Sequence, residues 1–155
     1  MHRLGARGEG RTAVRRLVRA VVLSPGEASG APLRLEEPLS FWGGLDPTTG
    51  RIIDRWHPQL NANVAGRVLM MPASRGSSSG SAALAEAIRI GVAPAAILLL
   101  ERDPIVVVGA MAAAELYARE CPVLLAKRRD WDRLAAASRL TVEARGSAAT
   151  ISVEA

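Results

Sequence analysis

Val68-Leu69-Met70-Met71 runs into Pro72-Ala73-Ser74-Arg75-Gly76-Ser77-Ser78-Ser79-Gly80-Ser81, and the architecture turns on this stretch. The four apolar residues read as a buried strand. The Gly/Ser run reads as a loop. Beyond it, Leu84, Ala87 and Ile88 form a short helical face over Ala82–Ile90, and Gly91 suits a left-handed C-cap. The next apolar run, Ala96–Leu100, is a second buried strand. Asp103-Pro104 then opens a helix to about Tyr117, with Asp103 as N-cap and Pro104 as its first residue. Val106-Val107-Val108 pulls towards strand because of β-branching, and the Ala-rich continuation restores the helix. Val123–Ala126 supplies a third strand. Strand–helix–strand–helix–strand from 67 to 126 predicts a parallel βαβαβ layer with right-handed crossovers.

Outside this centre the pattern is looser. Asp130–Ala137 reads as a short helix. Leu140–Ala144 and Ala149–Val153, around Arg145-Gly146-Ser147, read as a hairpin. Upstream, a strand is expected at about Leu17–Leu23, a turn at Ser24-Pro25-Gly26, and a half-buried strand at Leu33–Glu36. Asp46-Pro47-Thr48-Thr49-Gly50 has turn composition. The fold class is α/β, with additional strands from both ends forming a second sheet or a mixed extension.

The formal charge of +5 on 155 residues points towards nucleic acid until it is located. The first 20 residues hold six of the 20 basic side chains and one of the 15 acids, leaving fourteen of each. The body is therefore neutral. Residues 1–16 read as a mobile Arg-rich extension and 17–155 as the folded domain, so nucleic-acid binding is disfavoured. Five scattered aromatics make no base-stacking platform, and Trp42 and Trp56 are expected to be packing residues. The apolar runs Val92–Leu100 and Pro104–Ala114 are split by Glu101, Arg102 and Asp103. Each falls short of the ~20 residues of a membrane span. Arg15, Arg16 and Arg19 interrupt any signal-like start, and a soluble cytoplasmic protein is expected. One cysteine, Cys121, and two histidines exclude an iron–sulfur or His-rich zinc site on this chain. Cys121 is expected to be a buried, inert thiol.

Chemistry has one natural place, the Pro72–Ser81 loop. It lies between a strand and a helix, where α/β sheets bind ligands and free N–H groups favour anions. A carboxylate or phosphate ligand and a plain solvated loop both fit. No Gly-Lys-Ser/Thr is present, so it is not a P-loop. A Gly-x-Ser-x-Gly nucleophile elbow is not expected in the frame starting at Gly76, and His57 is the one distal base. Arg75 reads either as an anion clamp or as a loop charge. His57 reads either as a general acid or as a loop residue beside Pro58.

An ordered set of pieces resembles a known family. The pieces are Gly26-Glu27-Ala28-Ser29-Gly30, Leu39-Ser40-Phe41-Trp42-Gly43-Gly44, Asp46-Pro47, Thr49-Gly50, Ile53-Asp54, His57-Pro58, Gly66-Arg67-Val68-Leu69, Arg75-Gly76-Ser77-Ser78-Ser79 and Ala93-Pro94-Ala95-Ala96-Ile97. Together they resemble the small subunit, or swivel domain, of aconitase X over about residues 17–126, with the C-terminal hairpin also fitting. The resemblance implies a swivelling β/β/α domain closing on a separate large subunit that carries an iron–sulfur cluster. Bacterial members are similar to cis-3-hydroxy-L-proline dehydratases and archaeal ones to mevalonate 5-phosphate dehydratases. It also implies a serine base, which falls on Ser77, with Arg75, Gly76, Ser78, Ser79 and His57 as substrate-binding candidates and no metal ligand here. Other aconitases follow a similar Gly-Ser-Ser with arginine. Here Ser79 and Gly80 follow, and Arg75 is the candidate substitute. Ser74 and Asn61 replace glycines of the family pattern.

The expectation is thus a hydro-lyase subunit, active with its large subunit on a hydroxy acid, with cis-3-hydroxy-L-proline first and mevalonate 5-phosphate second. The rival of another class is a non-catalytic phosphate- or carboxylate-binding module.

Overall fold

A computed structural model describes residues 15–155. Eight strands are present: β1 (Arg16–Ser24), β2 (Gly26–Gly30), β3 (Pro32–Arg34), β4 (Val68–Met70), β5 (Ala96–Leu99), β6 (Val123–Leu125), β7 (Arg139–Ala144) and β8 (Ala148–Glu154). Four helical segments join them: α1 (Phe41–Gly44), α2 (Ser79–Ile90), α3 (Pro104–Tyr117) and α4 (Trp131–Ala135). All strands lie in one sheet, in the order β2-β7-β8-β1-β6-β5-β4-β3. The parallel layer is β3-β4-β5-β6. The remaining strands extend it antiparallel, so the mixed extension is realised and a separate second sheet is not.

The sheet closes on itself because its parallel strands are apolar on both faces. Leu69, Met71, Ile97, Leu99 and Val123 face α2 and α3, meeting Leu84, Ala87, Val106 and Ala110. The alternate residues Val68, Met70, Ala96, Leu98 and Leu124 face the other way and need a second cover. The antiparallel half supplies it with Val18, Ala20, Val142, Ala149 and Ile151, plugged at one end by Trp131 and Leu134 of α4. β2, at the sheet's edge, packs across β5. The result is three layers, β/β/α. At the fold, a Cβ on Gly30 would stand 2.4 Å from the Gly66 carbonyl oxygen, so only glycine allows this approach.

Cap chemistry sets α3 as expected. Asp103 accepts from the Ile105 and Val106 N–H groups, and Pro104 opens the helix. α2 ends on Gly91 at φ 87°, which donates its N–H to the Ala87 and Ile88 carbonyls. Two expected boundaries move. α2 starts at Ser79 rather than Ala82, because Ser81 Oγ donates to the Ile105 carbonyl at 2.6 Å and Gly80 packs on the Ile105 side chain. The expected helix at Asp130–Ala137 is a 3-10 turn, Arg128–Asp130, followed by the shorter α4. β2 occupies a stretch whose start reads as a turn. β1 runs from Arg16, which pairs with Val153 of β8. The expected Arg-rich extension lies, up to residue 14, outside the described residues.

Candidate functional site

Strands β4, β5 and β6 end at one edge of the sheet, and the loops that follow them share that edge. The Pro72–Ser78 loop leaves β4 there. It is held at both ends by the first turn of α3. On one side, Ser74 donates its N–H (2.7 Å) and its Oγ (2.6 Å) to Asp103 Oδ2, while Asp103 Oδ1 caps α3. On the other, Ser81 is tied to the Ile105 carbonyl. Ser74, which stands where the family pattern has glycine, thus adds a charge-assisted hydrogen bond. The exposed residues Arg75–Ser79 are suspended between these anchors.

A third support comes from the segment before α1. Arg75 N–H donates to the Leu39 carbonyl at 3.0 Å. Gly76 adopts φ +123°, and a Cβ there would lie 2.8 Å from Ser40 Oγ. That φ belongs to glycine. Ser40 Oγ in turn donates to the Trp42 carbonyl.

Ser77 Oγ accepts the Ser79 N–H at 3.3 Å, and the Ser77 carbonyl accepts the Gly80 N–H at 3.0 Å. Ser78, formally the N-cap, makes no side-chain cap bond. The hydroxyl of Ser77 therefore meets the positive end of α2, and the donor is Ser79 rather than a group beyond Ala82. Ser78 and Ser79 present exposed hydroxyls on the same turn.

Arg75 stands 3.7 Å from the Glu37 carboxylate, with both side chains about half exposed. Such a pair is loose enough to exchange for a carboxylate ligand. His57 is buried, at 4% exposure. Gln59 N–H donates to its Nδ1 at 3.0 Å, which assigns the remaining hydrogen to Nε2, 3.0 Å from the Glu37 carbonyl. The ring does not line the Arg75–Ser79 surface. It fixes the backbone of Glu37, whose carboxylate faces Arg75. Gly76–Gly80 does carry Gly-x-Ser-x-Gly spacing centred on Ser78, but both nitrogens of His57 are committed to backbone.

One feature of this region runs against the sequence pattern. Trp42 and Trp56 are exposed, at 64% and 91%, with Ile53 and Leu60 also partly open. Neither tryptophan is a packing residue. Trp42 sits in α1, whose helical geometry breaks at Trp42 itself and at Gly43 (φ 81°). The Ile53 N–H donates to the Gly44 carbonyl, which ties Ile53 to the end of α1, and Trp42 connects to the Gly76 turn through Ser40. No group of three His, Cys, Asp or Glu side chains able to hold an ion occurs among the described residues. Cys121 is buried and donates its S–H to the Pro94 carbonyl, and burial pushes its thiol up to about 12. A protonated, isolated thiol does not fit an iron–sulfur cluster.

A family model described as the aconitase X swivel domain matches residues 17–153. The chain belongs to that family. It is 47% identical over 114 residues to the cis-3-hydroxy-L-proline dehydratase of Pseudomonas aeruginosa, covering 74% of this chain and 20% of that protein. The fungal dehydratase of the same name from Hypocrea jecorina is 36% identical over 126 residues, covering 81% and 21%. The chain thus spans about a fifth of the length of these relatives. The phosphomevalonate dehydratase small subunit of Methanothermobacter thermautotrophicus is 44% identical over 92 residues, covering 59% of this chain and 70% of that subunit. In three dimensions the swivel domain matches a chain of Thermococcus kodakaraensis aconitase X in its holo-form. The TM-score is 0.71 at 26% identity, over 88% of this chain and 98% of that one. No described helix is long and apolar enough to cross a membrane.

Proposed function

We propose that this chain is the swivel subunit of a hydro-lyase that dehydrates a small hydroxy acid, with cis-3-hydroxy-L-proline as substrate, Ser77 as the base and a large subunit as obligate partner. The observation that carries this reading is the preorganised Ser77, anchored through α3 with its hydroxyl against the Ser79 N–H. The 47% identity to the Pseudomonas aeruginosa dehydratase supports the choice of substrate.

Dehydration needs a proton removed from carbon and a hydroxyl lost from its neighbour. On this reading the Ser77 oxygen takes the proton, and the electron pair forms the carbon–carbon double bond. The Ser79 N–H, the α2 N-terminus and the Arg75 guanidinium favour the anionic oxygen this requires. Arg75, released from Glu37, pairs with the substrate carboxylate, and Ser78 and Ser79 offer hydroxyls to its polar groups. His57 and Glu37 position Arg75. The iron–sulfur cluster expected on the large subunit would supply Lewis-acid help to the departing hydroxyl. Closure of the swivel domain excludes water from the joined site. The exposed Trp42, Ile53 and Trp56 supply apolar surface against which the large subunit closes.

A second substrate, mevalonate 5-phosphate, is favoured by one observation. The chain covers 70% of a phosphomevalonate dehydratase small subunit. Co-expression with a large subunit, iron reconstitution and assays with both substrates test the proposal. Turnover of cis-3-hydroxy-L-proline is expected. Ser77→Ala should lower kcat by about 10²–10⁴-fold with assembly intact. Full activity in that variant would remove Ser77 from the chemistry. Calorimetry on the chain alone separates the module reading, which requires tight binding of a carboxylate or phosphate without a partner.

A further inference from the structure

Part of the arginine-rich start of the chain is built into the fold. Arg19 lies in β1, and the antiparallel register of β1 with β6 brings it beside Lys127, just past the end of β6. Arg129, on the 3-10 turn, and Arg133, on α4, close the group. Together with Leu17 and Asp130 these four cations line a cleft of about 520 Å³. That is the size of a small-molecule site.

Five arginines elsewhere on the described surface have a carboxylate partner. Arg34 pairs with Asp132 at 2.6 Å, Arg89 with Glu86 at 2.6 Å, and Arg145 with Glu120 at 2.7 Å. Arg15 and Arg75 each have a carboxylate within 4 Å. Arg19, Lys127, Arg129 and Arg133 have none among the described residues, and Asp130 lines the cleft without pairing to them. Four like charges around one concavity repel, and a multivalent anion relieves that repulsion. A compact multivalent anion suits the dimensions of the cleft.

We propose that this cleft is an anion site for a phosphate group, free or carried by a small phosphorylated molecule. It is separate from the Ser77 loop. The guanidinium groups of Arg19, Arg129 and Arg133 match phosphate oxygens in pairs, and Lys127 adds a point charge.

The test titrates the full chain with inorganic phosphate and with pyrophosphate at constant ionic strength, following backbone amides by NMR. Saturable shifts are expected at residues 17–19 and 127–133, with pyrophosphate the tighter ligand. The double variant Arg19→Ser, Arg129→Ser should weaken pyrophosphate by about tenfold or more, while Ser77→Ala leaves it unchanged. Those residues are exposed, so the variants fold, which circular dichroism checks. The absence of saturable shifts would overturn the site. So would shifts centred on Ser77–Gly80, or loss of binding in an Arg3→Ser, Arg7→Ser, Arg11→Ser variant with the cleft intact.

Discussion

At the residue scale, Cys121 gives the most direct link from burial to behaviour. Its thiol keeps its proton up to about 12 in the native state, against about 9 in an unfolded chain, because burial disfavours the thiolate. The protonated thiol's contribution is therefore complete below about pH 9 and is lost as pH rises towards 12, at up to about 1.4 kcal/mol per pH unit. Urea melts of the parent and of Cys121→Ala between about pH 8 and about pH 11 read this out. The parent's advantage should shrink steadily above pH 9. A difference independent of pH would mean that the native thiol ionises normally. Gly76 and Ser74 act at the same scale in opposite ways. Gly76 permits a conformation other residues resist, and Ser74 gives up freedom for a hydrogen bond to Asp103.

At the element scale, the first turn of α3 is the anchor of the candidate site. Asp103 serves two elements at once, capping α3 through Oδ1 and holding the β4–α2 loop through Oδ2. Asp103→Ala should cost about 2–4 kcal/mol, the sum of a lost cap and lost charge-assisted bonds. Chemical denaturation measures the loss. Hydrogen exchange should show residues 74–79 and the start of α3 becoming unprotected together. Asp103 was legible as a cap, because Asp-Pro before a helix is a local signal. Its second role was not, because Ser74 lies 29 residues away. The same distinction runs through the fold. β4, β5 and β6 could be read from apolar runs that need no partner to be recognised. β2 could not, since Gly26-Glu27-Ala28-Ser29-Gly30 has little strand propensity. It is a strand because five residues pair with β7 and Ser29 Oγ meets Thr141 Oγ1 at 3.0 Å. The first turn of α2, rich in Ser and Gly, was hidden for the same reason. In the site, Ser77 was carried by a motif. The exposure of Trp42 and Trp56 follows from an irregular segment with no periodicity to read.

At the scale of the whole molecule, the exposed tryptophans mark a face that the isolated chain leaves uncovered. Exposed aromatics at this level are where binding energy concentrates in interfaces. On the proposed reading, Trp42→Ser with Trp56→Ser should weaken association with the large subunit by about 10²-fold or more, measured by surface plasmon resonance. The variant's own melting should change little, since neither ring is packed. Unchanged association would place the partner on another face.

The pairing of Arg16 with Val153 sets the two ends of the described fold side by side, at the edge from which the Ser77 loop also rises. A polypeptide joined at either end would therefore leave from the edge that carries the Ser77 loop. On the proposed reading, a short tether is then enough to hold a covalently attached partner opposite Ser77, at an effective concentration that a freely diffusing subunit must reach by affinity alone. The same three-layer unit can thus serve as a separate chain or as one fifth of a longer one without any change in how it presents its loop.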